Sequence, residues 1–266
     1  MWWQLRAAGY LFSGAIRGMA QYRADVVFTV LAGMFYQVTT FLAVWVILAR
    51  FQAVAGWGIK EIALLYGMRV FSHGLWVLPL NQMHQLSRYV QEGTFDRFLV
   101  RPVNPLVQLM FTRVRFNALG DLLGGVTLMI AGLCMVHIDW TVWKVIYLVL
   151  GVIAGAMVEA GIQLALSSLS FRFVKAARAR YTVDDLFNMF GNYPARMFGS
   201  VGMWTLTLIP VTFVAYLPAT VLLDRVGAEG IPSIIAYLSP IVGPMVFISG
   251  YAIWMSRLRD YSSTGN

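Results

Sequence analysis

Apolar residues gather into six blocks, and the stretches between the blocks carry almost all of the charge. The blocks run over Val26–Leu48, Ala63–Leu80, about Phe116–Val136, Val145–Leu169, about Val201–Leu217 and Ile234–Met255. Most of them approach or exceed the ~18 residues that a helix needs to cross the apolar core of a bilayer. The pattern predicts an all-α, polytopic membrane protein whose six transmembrane helices form one domain over residues 1–266.

Two segments depart from simple spans. Residues 1–24 combine Trp2, Trp3 and arginines with apolar positions at helical spacing, which predicts an interfacial helix lying on the membrane. Near the fifth span, Pro210 and Pro218 each lack the backbone donor that a helix interior requires. We therefore expect this span to be bent or broken around Tyr216–Ala219, with a partly re-entrant external hairpin between spans five and six.

Composition and charge fit this topology. Hydrophobic residues make up 59% of the chain and charged residues only 12%, about half the charged share of a soluble domain. Fifteen of the twenty Lys and Arg lie in the N-terminal segment, in the two long polar connections over residues 81–115 and 171–196, and in the C-terminal tail. Four others lie in the alternate connections, and Arg69 lies inside a span. Positive residues stay preferentially on the cytoplasmic side, so both termini are predicted to be cytoplasmic. The net charge of +8 then indicates contact with anionic lipids rather than nucleic acid.

The sequence shows no constellation typical of an enzyme. The histidines His73, His84 and His137 fall in a span, a cytoplasmic stretch and an external link, and Cys134 is the single cysteine, so neither a catalytic group nor a metal cluster is predicted. The motif GxxxxGK[ST], whose backbone amides and lysine hold nucleotide phosphates, is also missing. If ATP drives this protein, a second polypeptide binds the ATP and Mg²⁺, and this chain binds no cofactor.

Two short stretches carry a family resemblance. The connection after the second span contains Gly93, an acidic residue at Asp96, apolar neighbours and the pair Arg101-Pro102. The segment Phe198–Leu223 contains Ile209-Pro210 and Leu217-Pro218-Ala219. Together they resemble the ABC-2-type permeases of ABC transporters, and bacterial drug-resistance and viologen-type exporters in particular. The resemblance implies a multi-pass protein of the bacterial cytoplasmic membrane that pairs with an identical or similar permease and binds two cytoplasmic ATPase subunits.

The connection over residues 81–115 is the predicted coupling region. Residues Met83–Gln91 can form a short amphipathic helix that Gly93 ends, and a mixed charged and apolar surface follows it. Such a surface suits docking onto another protein, although a solvated loop on lipid headgroups has the same composition. The predicted contacts with the ATPase subunit are Glu92, Phe95, Asp96, Arg97, Phe98 and Arg101.

Four ionisable residues lie within the spans, where a charge costs ~2.5–3.5 kcal/mol on insertion scales and so faces protein or water. Glu159 belongs to a stripe of small and polar residues four apart, formed by Gly151, Gly155, Glu159, Gln163 and Ser167. This face suits either helix packing or a hydrated path. Depth along the helices favours His73 over Arg69 as its partner. We expect Arg69 to reach the outer headgroups and Asp121 to lie near an interface with a structural role.

The resulting hypothesis is an exporter permease that moves an amphipathic or cationic small molecule, or a lipid, along a path bordered by Glu159, Gln163, His73 and Arg69. Two other classes remain open at this point. One is an ATP-independent carrier, in which Glu159 would titrate in a proton-coupled cycle, and the other is a membrane scaffold without transport.

Overall fold

The computed structural model describes residues 23–50, 53–112, 117–173, 177–228 and 230–262. The chain is 79% helix, and no strand occurs among these residues, which confirms the all-α prediction. The helices are α1 (Arg23–Arg50), α2 (Ile59–Leu80), α3 (Leu86–Gln91), α4 (Asp96–Leu99), α5 (Pro105–Met110), α6 (Asn117–Met135), α7 (Val142–Ser168), α8 (Ala177–Phe190), α9 (Gly199–Leu208), α10 (Tyr216–Leu222), α11 (Ser233–Tyr237) and α12 (Ser239–Arg259). The predicted interfacial helix over residues 1–24 falls almost entirely outside the described residues.

Four described helices are long and apolar enough to cross a membrane, in agreement with four of the predicted spans. They are Ala24–Val46, Ala118–Met135, Val142–Phe171 and Ser239–Arg259. Helix α2, the predicted second span, has 22 residues, but Arg69 and His73 lower its hydropathy. Its position must therefore be read from its neighbours.

Glycines place α2 directly beside α6. The two helices run antiparallel, so that Gly67 faces Met129 and Gly132 faces Leu64. A Cβ atom added to Gly132 would lie 2.5 Å from the Leu64 backbone, which shows how closely the two backbones approach. Small residues allow such contact between helices in a membrane, where apolar side chains gain little by leaving lipid. Helix α2 thus lies at the same level of the bundle as the apolar helix α6.

A second pair of glycine contacts joins α7 to α12, which run parallel. Gly243 of α12 contacts Ala154, and about two turns further along both helices Gly250 contacts Gly161. Helices α1 and α6 are also parallel, with Gly120 against the backbone of Gly33. The bundle therefore contains two long helices that run in one direction and three, α2, α7 and α12, that run in the other.

The two ends of the bundle differ in chemistry. The first, here called the basic end, holds the short helices α3, α4 and α5 together with the C-terminal end of α12. The opposite end is tied by ion pairs: Lys144 Nζ lies 2.6 Å from Asp224 Oδ2, and Arg225 Nη2 lies 2.6 Å from Glu61 Oε1. Arg225 also covers the ring of the fully buried Trp57.

Helix α8 begins at the basic end and extends to the middle of α2, which corrects one sequence-based expectation. Its residue Tyr181 stacks on His84 at the basic end, whereas Gly191, just after the helix, meets Arg69 at the middle of α2. Arg196 then donates a hydrogen bond of 3.1 Å to the carbonyl of Ala228 at the opposite end. The stretch 171–196, predicted as a polar connection on one side, thus reaches from one end to the other.

The predicted fifth span, about Val201–Leu217, is not one helix. Helix α9 has 10 residues and α10 has 7, and neither is long enough for a bilayer core of ~30 Å at 1.5 Å per residue. The chain breaks at Pro210, earlier than the predicted break around Tyr216–Ala219, because Pro218 lies in the first turn of α10, where a missing donor is tolerated.

Helices α9 and α10 pack against different neighbours. Met203 of α9 lies beside Gly230, in the connection between α10 and α11. Helix α10 runs antiparallel to α7, with Val214, just before the helix, against Gly155 and with Pro218 against Gly151. Gly151 and Gly155 of the predicted small-residue stripe on α7 are thus packing positions for this segment.

The direction of α8 can be tested by cysteine labelling in a chain whose native Cys134 is replaced by alanine. Single cysteines at Met197 and at Ala228, both exposed, should react with a membrane-impermeant maleimide from one and the same side. A cysteine at Val100, 81% exposed at the basic end, should react only from the other side. Labelling of Met197→Cys together with Val100→Cys would return the stretch 171–196 to the basic end.

Candidate functional site

A buried carboxylate, that of Glu159 on α7, joins α7 to α2. Its Oε2 atom lies 2.7 Å from His73 Nδ1 and accepts a 2.7 Å hydrogen bond from Trp76 Nε1. Its Oε1 atom lies 3.9 Å from Arg69 Nη2. The contact with His73 is the one that depth along the helices predicts, and the longer distance to Arg69 agrees with the same argument.

The sequence of α2 presents these three partners together. Arg69, His73 and Trp76 follow one another at spacings of four and three residues, which place them on one face of a helix. That face turns towards α7 because Ser72, beside His73, donates a 3.0 Å hydrogen bond to the carbonyl of Val152. Gly155 leaves room for this Ser72 hydroxyl.

Arg69 does not reach the headgroups, contrary to the expectation from sequence. Only 2% of its surface is exposed, because α8 closes over it: a Cβ at Gly191 would lie 3.6 Å from Arg69 Nε. The sequence does not predict the burial of Arg69, because the whole stretch 171–196 is predicted to lie at the basic end. Among the described residues, Arg69 Nε and Nη2 have no hydrogen-bond partner.

Helix α8 adds further charges to the same region. Asp184 accepts a hydrogen bond from Gln163 Nε2, the next member of the α7 stripe after Glu159. Arg180 is 2% exposed and lies over the Tyr181 ring. The group therefore combines the buried Arg69, Arg180 and Glu159 with two half-buried side chains, those of Asp184 and His73.

A polar cavity of about 730 Å³ opens next to this group. Arg69 and His73 line it from α2, and Asp185 and Asn188 line it from α8. The remaining lining residues come from α1, α2, α6 and the end of α8, namely Gly33, Tyr36, Gln37, Thr40, Tyr66, Val70, Asp121, Met189 and Asn192. Its volume lies within the range of small-molecule sites.

The α6 side of the cavity is held by a short hydrogen-bonded chain. Tyr66 donates its hydroxyl proton to Gln37 Oε1 at 3.0 Å, and Gln37 Nε2 donates to Asp121 Oδ1 at 2.7 Å. Asp121, in the second turn of α6, therefore lines the cavity from the part of this helix that is close to the basic end.

The four residues predicted to border a translocation path are thus brought together, but not in equal positions. Arg69 and His73 line the cavity, whereas Glu159 lies behind them and contacts both. Gln163 does not line the cavity and is hydrogen-bonded to Asp184 on α8 instead. Sequence reasoning missed Asp184, Asp185 and Asn188. Their signal was available in α8, where polar residues recur three and four apart beside apolar ones.

At the basic end, the six predicted docking residues divide into two groups. Phe95 and Phe98 are buried in the chain's own core, and Phe95 packs against Phe171. Asp96 accepts a 2.9 Å hydrogen bond from the Tyr261 hydroxyl. These three side chains contact other parts of the same chain and hold the segment in place. They do not form its outer surface.

The other predicted docking residues are exposed. Glu92 pairs with Arg88 at 2.6 Å, and its carboxylate raises the pKa of Arg88. Arg97 lies over the rings of Tyr89 and Phe98, and Arg101 is exposed beside it. Between them the apolar residues Leu99 and Val100 are 44% and 81% exposed. The outer surface of this segment, Arg97–Arg101, thus mixes two cations with apolar groups.

Among the described residues, no three metal-ligating side chains come together. The two functional features are a polar cavity between long apolar helices and an exposed segment of charged and apolar residues at the basic end. Comparison with known protein families matches residues 34–265 to the family described as ABC-2 family transporter protein. The chain belongs to the ABC-2 transporter family. Searches of curated proteins and of solved structures gave no match.

Membership in this family identifies the general function of the chain as membrane transport. An ABC-2 permease is the membrane component of ABC-type transport and not the catalytic subunit. The match covers the buried charges on α2 and α7, helices α9 and α10, the mixed segment at the basic end and every lining residue of the cavity except Gly33. Both features described above therefore lie in the transport domain.

The buried charges of this permease make a direct prediction about stability. In Glu159→Gln, Arg69 stays buried without its opposing charge, which should destabilise the protein by about 3–5 kcal/mol. Arg69→Gln alone should do similar harm, since it leaves Glu159 uncompensated except by His73. The double variant Glu159→Gln/Arg69→Gln should be more stable than the sum of the two effects predicts.

The measurement is thermal unfolding of the purified permease in one detergent, followed for the four members of this double-mutant cycle. Strictly additive losses would show that Arg69 and Glu159, 3.9 Å apart, do not depend on each other.

Proposed function

We propose that this chain is one permease half of an ABC exporter, which moves amphipathic or cationic small molecules through the polar cavity. The cavity is the observation that carries the proposal. Asp121 and Asp185 bring carboxylates to its wall, and Tyr36 and Tyr66 bring aromatic rings. Carboxylates attract cations strongly where little water screens them, and aromatic faces add to that attraction.

In the proposed arrangement the chain crosses the membrane six times, through α1, α2, α6, α7 and α12 and through α8 together with residues 191–196 that follow it. The hairpin α9–α10 enters from the opposite end and returns to it. Six crossings put both termini on the same side, in keeping with α1 beginning and α12 ending at one end of the bundle. The excess of basic residues assigns that side to the cytoplasm of a bacterial cell.

The surface of α8 supports pairing with a second permease, identical or similar. Thr182, Asp185 and Asn188 are exposed on the bundle surface at the level of the buried charges. Facing lipid, a charged side chain there would cost ~2.5–3.5 kcal/mol on insertion scales. A second permease laid against α8 removes this cost and closes the cavity from the side. Membrane lipids then contact the outer faces of α1 and α12.

ATP and Mg²⁺ are proposed to act on separate cytoplasmic ATPase subunits, which dock at the basic end. The support is the exposed segment Arg97–Arg101, in which Leu99 and Val100 offer apolar surface between two arginines. Apolar groups surrounded by charge are typical of interfaces between proteins.

The same charges would also serve a carrier without an ATPase, the second candidate function. The observation that favours it is the 2.7 Å contact between His73 and Glu159, two groups that can exchange a proton. Dependence on an ATPase subunit separates the two proposals.

The docking surface is tested by the variants Leu99→Asp and Val100→Asp. Each places a charge where apolar surface would be buried, so the amount of ATPase subunit that co-purifies with the detergent-solubilised permease should fall on the order of ten-fold or more. Phe173→Asp serves as the matched control, because Phe173 is also exposed at the basic end, at 55%, but lies outside the segment. Full retention of the ATPase in both docking variants would contradict the assignment.

A further inference from the structure

Two tyrosines near the C-terminus form hydrogen bonds with the two ends of residues 96–104, here called the docking segment, which includes the exposed stretch Arg97–Arg101. At its start, the Tyr261 hydroxyl donates a 2.9 Å hydrogen bond to Asp96 Oδ1. At its end, Asn104 Nδ2 donates a 2.8 Å hydrogen bond to the hydroxyl of Tyr251 on α12. Asn104 also accepts from the Leu106 backbone N–H and so caps α5. Residues 96–104 are therefore bonded to Tyr251 of α12 and to Tyr261, two residues beyond its end, although 165 and 147 positions of sequence separate the bonded pairs.

Aromatic packing strengthens the first of these ties. The Tyr261 ring lies with its centroid 5.3 Å from that of Phe95 and 5.7 Å from that of Phe171. Phe171 in turn packs edge-on against Trp254 of α12, at 5.6 Å. Phe95 and Trp254 are both fully buried. The docking segment thus rests on α12 through a continuous set of rings.

The pKa of Tyr261 determines which group is the donor in the hydrogen bond between Tyr261 and Asp96. Partial burial and the neighbouring Asp96 carboxylate raise the pKa of Tyr261 to about 12. The phenol therefore keeps its proton at physiological pH and donates it to the carboxylate. Asp96, which the sequence suggested as a contact for the ATPase subunit, is an acceptor for a side chain of its own subunit.

From α12 the contacts continue to the buried charges. Gly250 meets Gly161 and Gly243 meets Ala154 at backbone distance, and Glu159 lies on α7 between these two levels. Backbones in such close contact cannot slide past each other freely, because no side chain is present to deform. A displacement of the docking segment that moves α12 must therefore also move α7 near Glu159.

Resting on the proposed function, we propose that Tyr261 and Tyr251 are positioning residues for energy coupling. They transmit the movement of the docked segment to α12 and, through the glycine contacts, to α7 and the cavity. Asp96 acts in this mechanism as a hydrogen-bond acceptor and not as an ionic contact with the ATPase.

The test uses the permease–ATPase complex reconstituted in lipid vesicles, with the number of substrate molecules exported per ATP hydrolysed as the readout. Loss of one hydrogen bond in Tyr261→Phe should lower this ratio about five-fold, with the ATPase subunit retained in full. Tyr251→Phe should act in the same direction. Tyr237→Phe is the matched control, since Tyr237 is exposed on α11 at the opposite end, and should leave the ratio unchanged.

The variants of Asp96 separate the two roles of this residue. Asp96→Asn keeps an oxygen acceptor for Tyr261, so it should stay within about two-fold of the native ratio, whereas Asp96→Ala should fall at least as far as Tyr261→Phe. Combining Tyr261→Phe with Asp96→Ala should add little to the loss in Asp96→Ala alone, since that variant already lacks the acceptor of the Tyr261 bond.

Three results would overturn the inference: native coupling in Tyr261→Phe, loss of the ATPase subunit in Asp96→Asn, or a fall in the ratio that tracks a lower melting temperature of the complex. A native chain that retains no ATPase subunit would instead overturn the proposed function itself, and the inference with it.

Discussion

A carboxylate buried among membrane helices needs partners, and the pairing of Glu159 organises the centre of this protein. One acidic side chain on α7 holds an imidazole, an indole N–H and, at longer range, a guanidinium, all from α2. The guanidinium in turn requires α8 to cover it, and α8 brings Asp184 back to Gln163 on α7. Burial of one charge thus fixes the relative positions of three helices and the wall of the cavity.

Close helix contacts make this pairing geometrically feasible. Glycines on α2 and α6, and again on α7 and α12, bring backbones together along two seams of the bundle. Because lipid is as apolar as a leucine side chain, such contacts replace the hydrophobic effect as the source of specific packing. They also give the bundle stiff units: α2 with α6 on one side of the Glu159 group, and α7 with α12 on the other.

The sequence reveals part of this arrangement and conceals the rest for identifiable reasons. Long apolar blocks such as Val26–Leu48 predict helices well, because only a helix satisfies its backbone inside a bilayer. The partnership of Glu159 with His73 follows from depth along two helices. The sequence does not predict that α8 packs against α2 and α7, because its polar residues look like those of a solvated connection. Its position depends on contacts with Arg69 and Gln163, far away in sequence, that no local pattern contains.

The docking segment shows the same limit. Its charged and apolar composition predicts a contact surface, yet composition alone does not separate Phe95, enclosed by Phe171 and Tyr261, from the exposed Val100. Which side of a short helix faces outward depends on the tail that packs against it. The side-chain partners of Asp96 and Asn104 lie near the C-terminus, so their assignment required the folded chain.

The central proposal for this protein is that the cavity beside Glu159 carries cations under the control of ATP. Transport into vesicles that contain the permease and its ATPase subunits tests this most directly, with a quaternary ammonium dye and an uncharged analogue of the same size. The native protein should move the dye only when ATP is hydrolysed. Asp185→Asn, which removes one carboxylate from the cavity wall, should reduce transport of the dye several-fold, by analogy with loss of a charged hydrogen bond, and spare the uncharged analogue. Equal transport of the dye by both proteins, or transport that ignores ATP, would contradict the account.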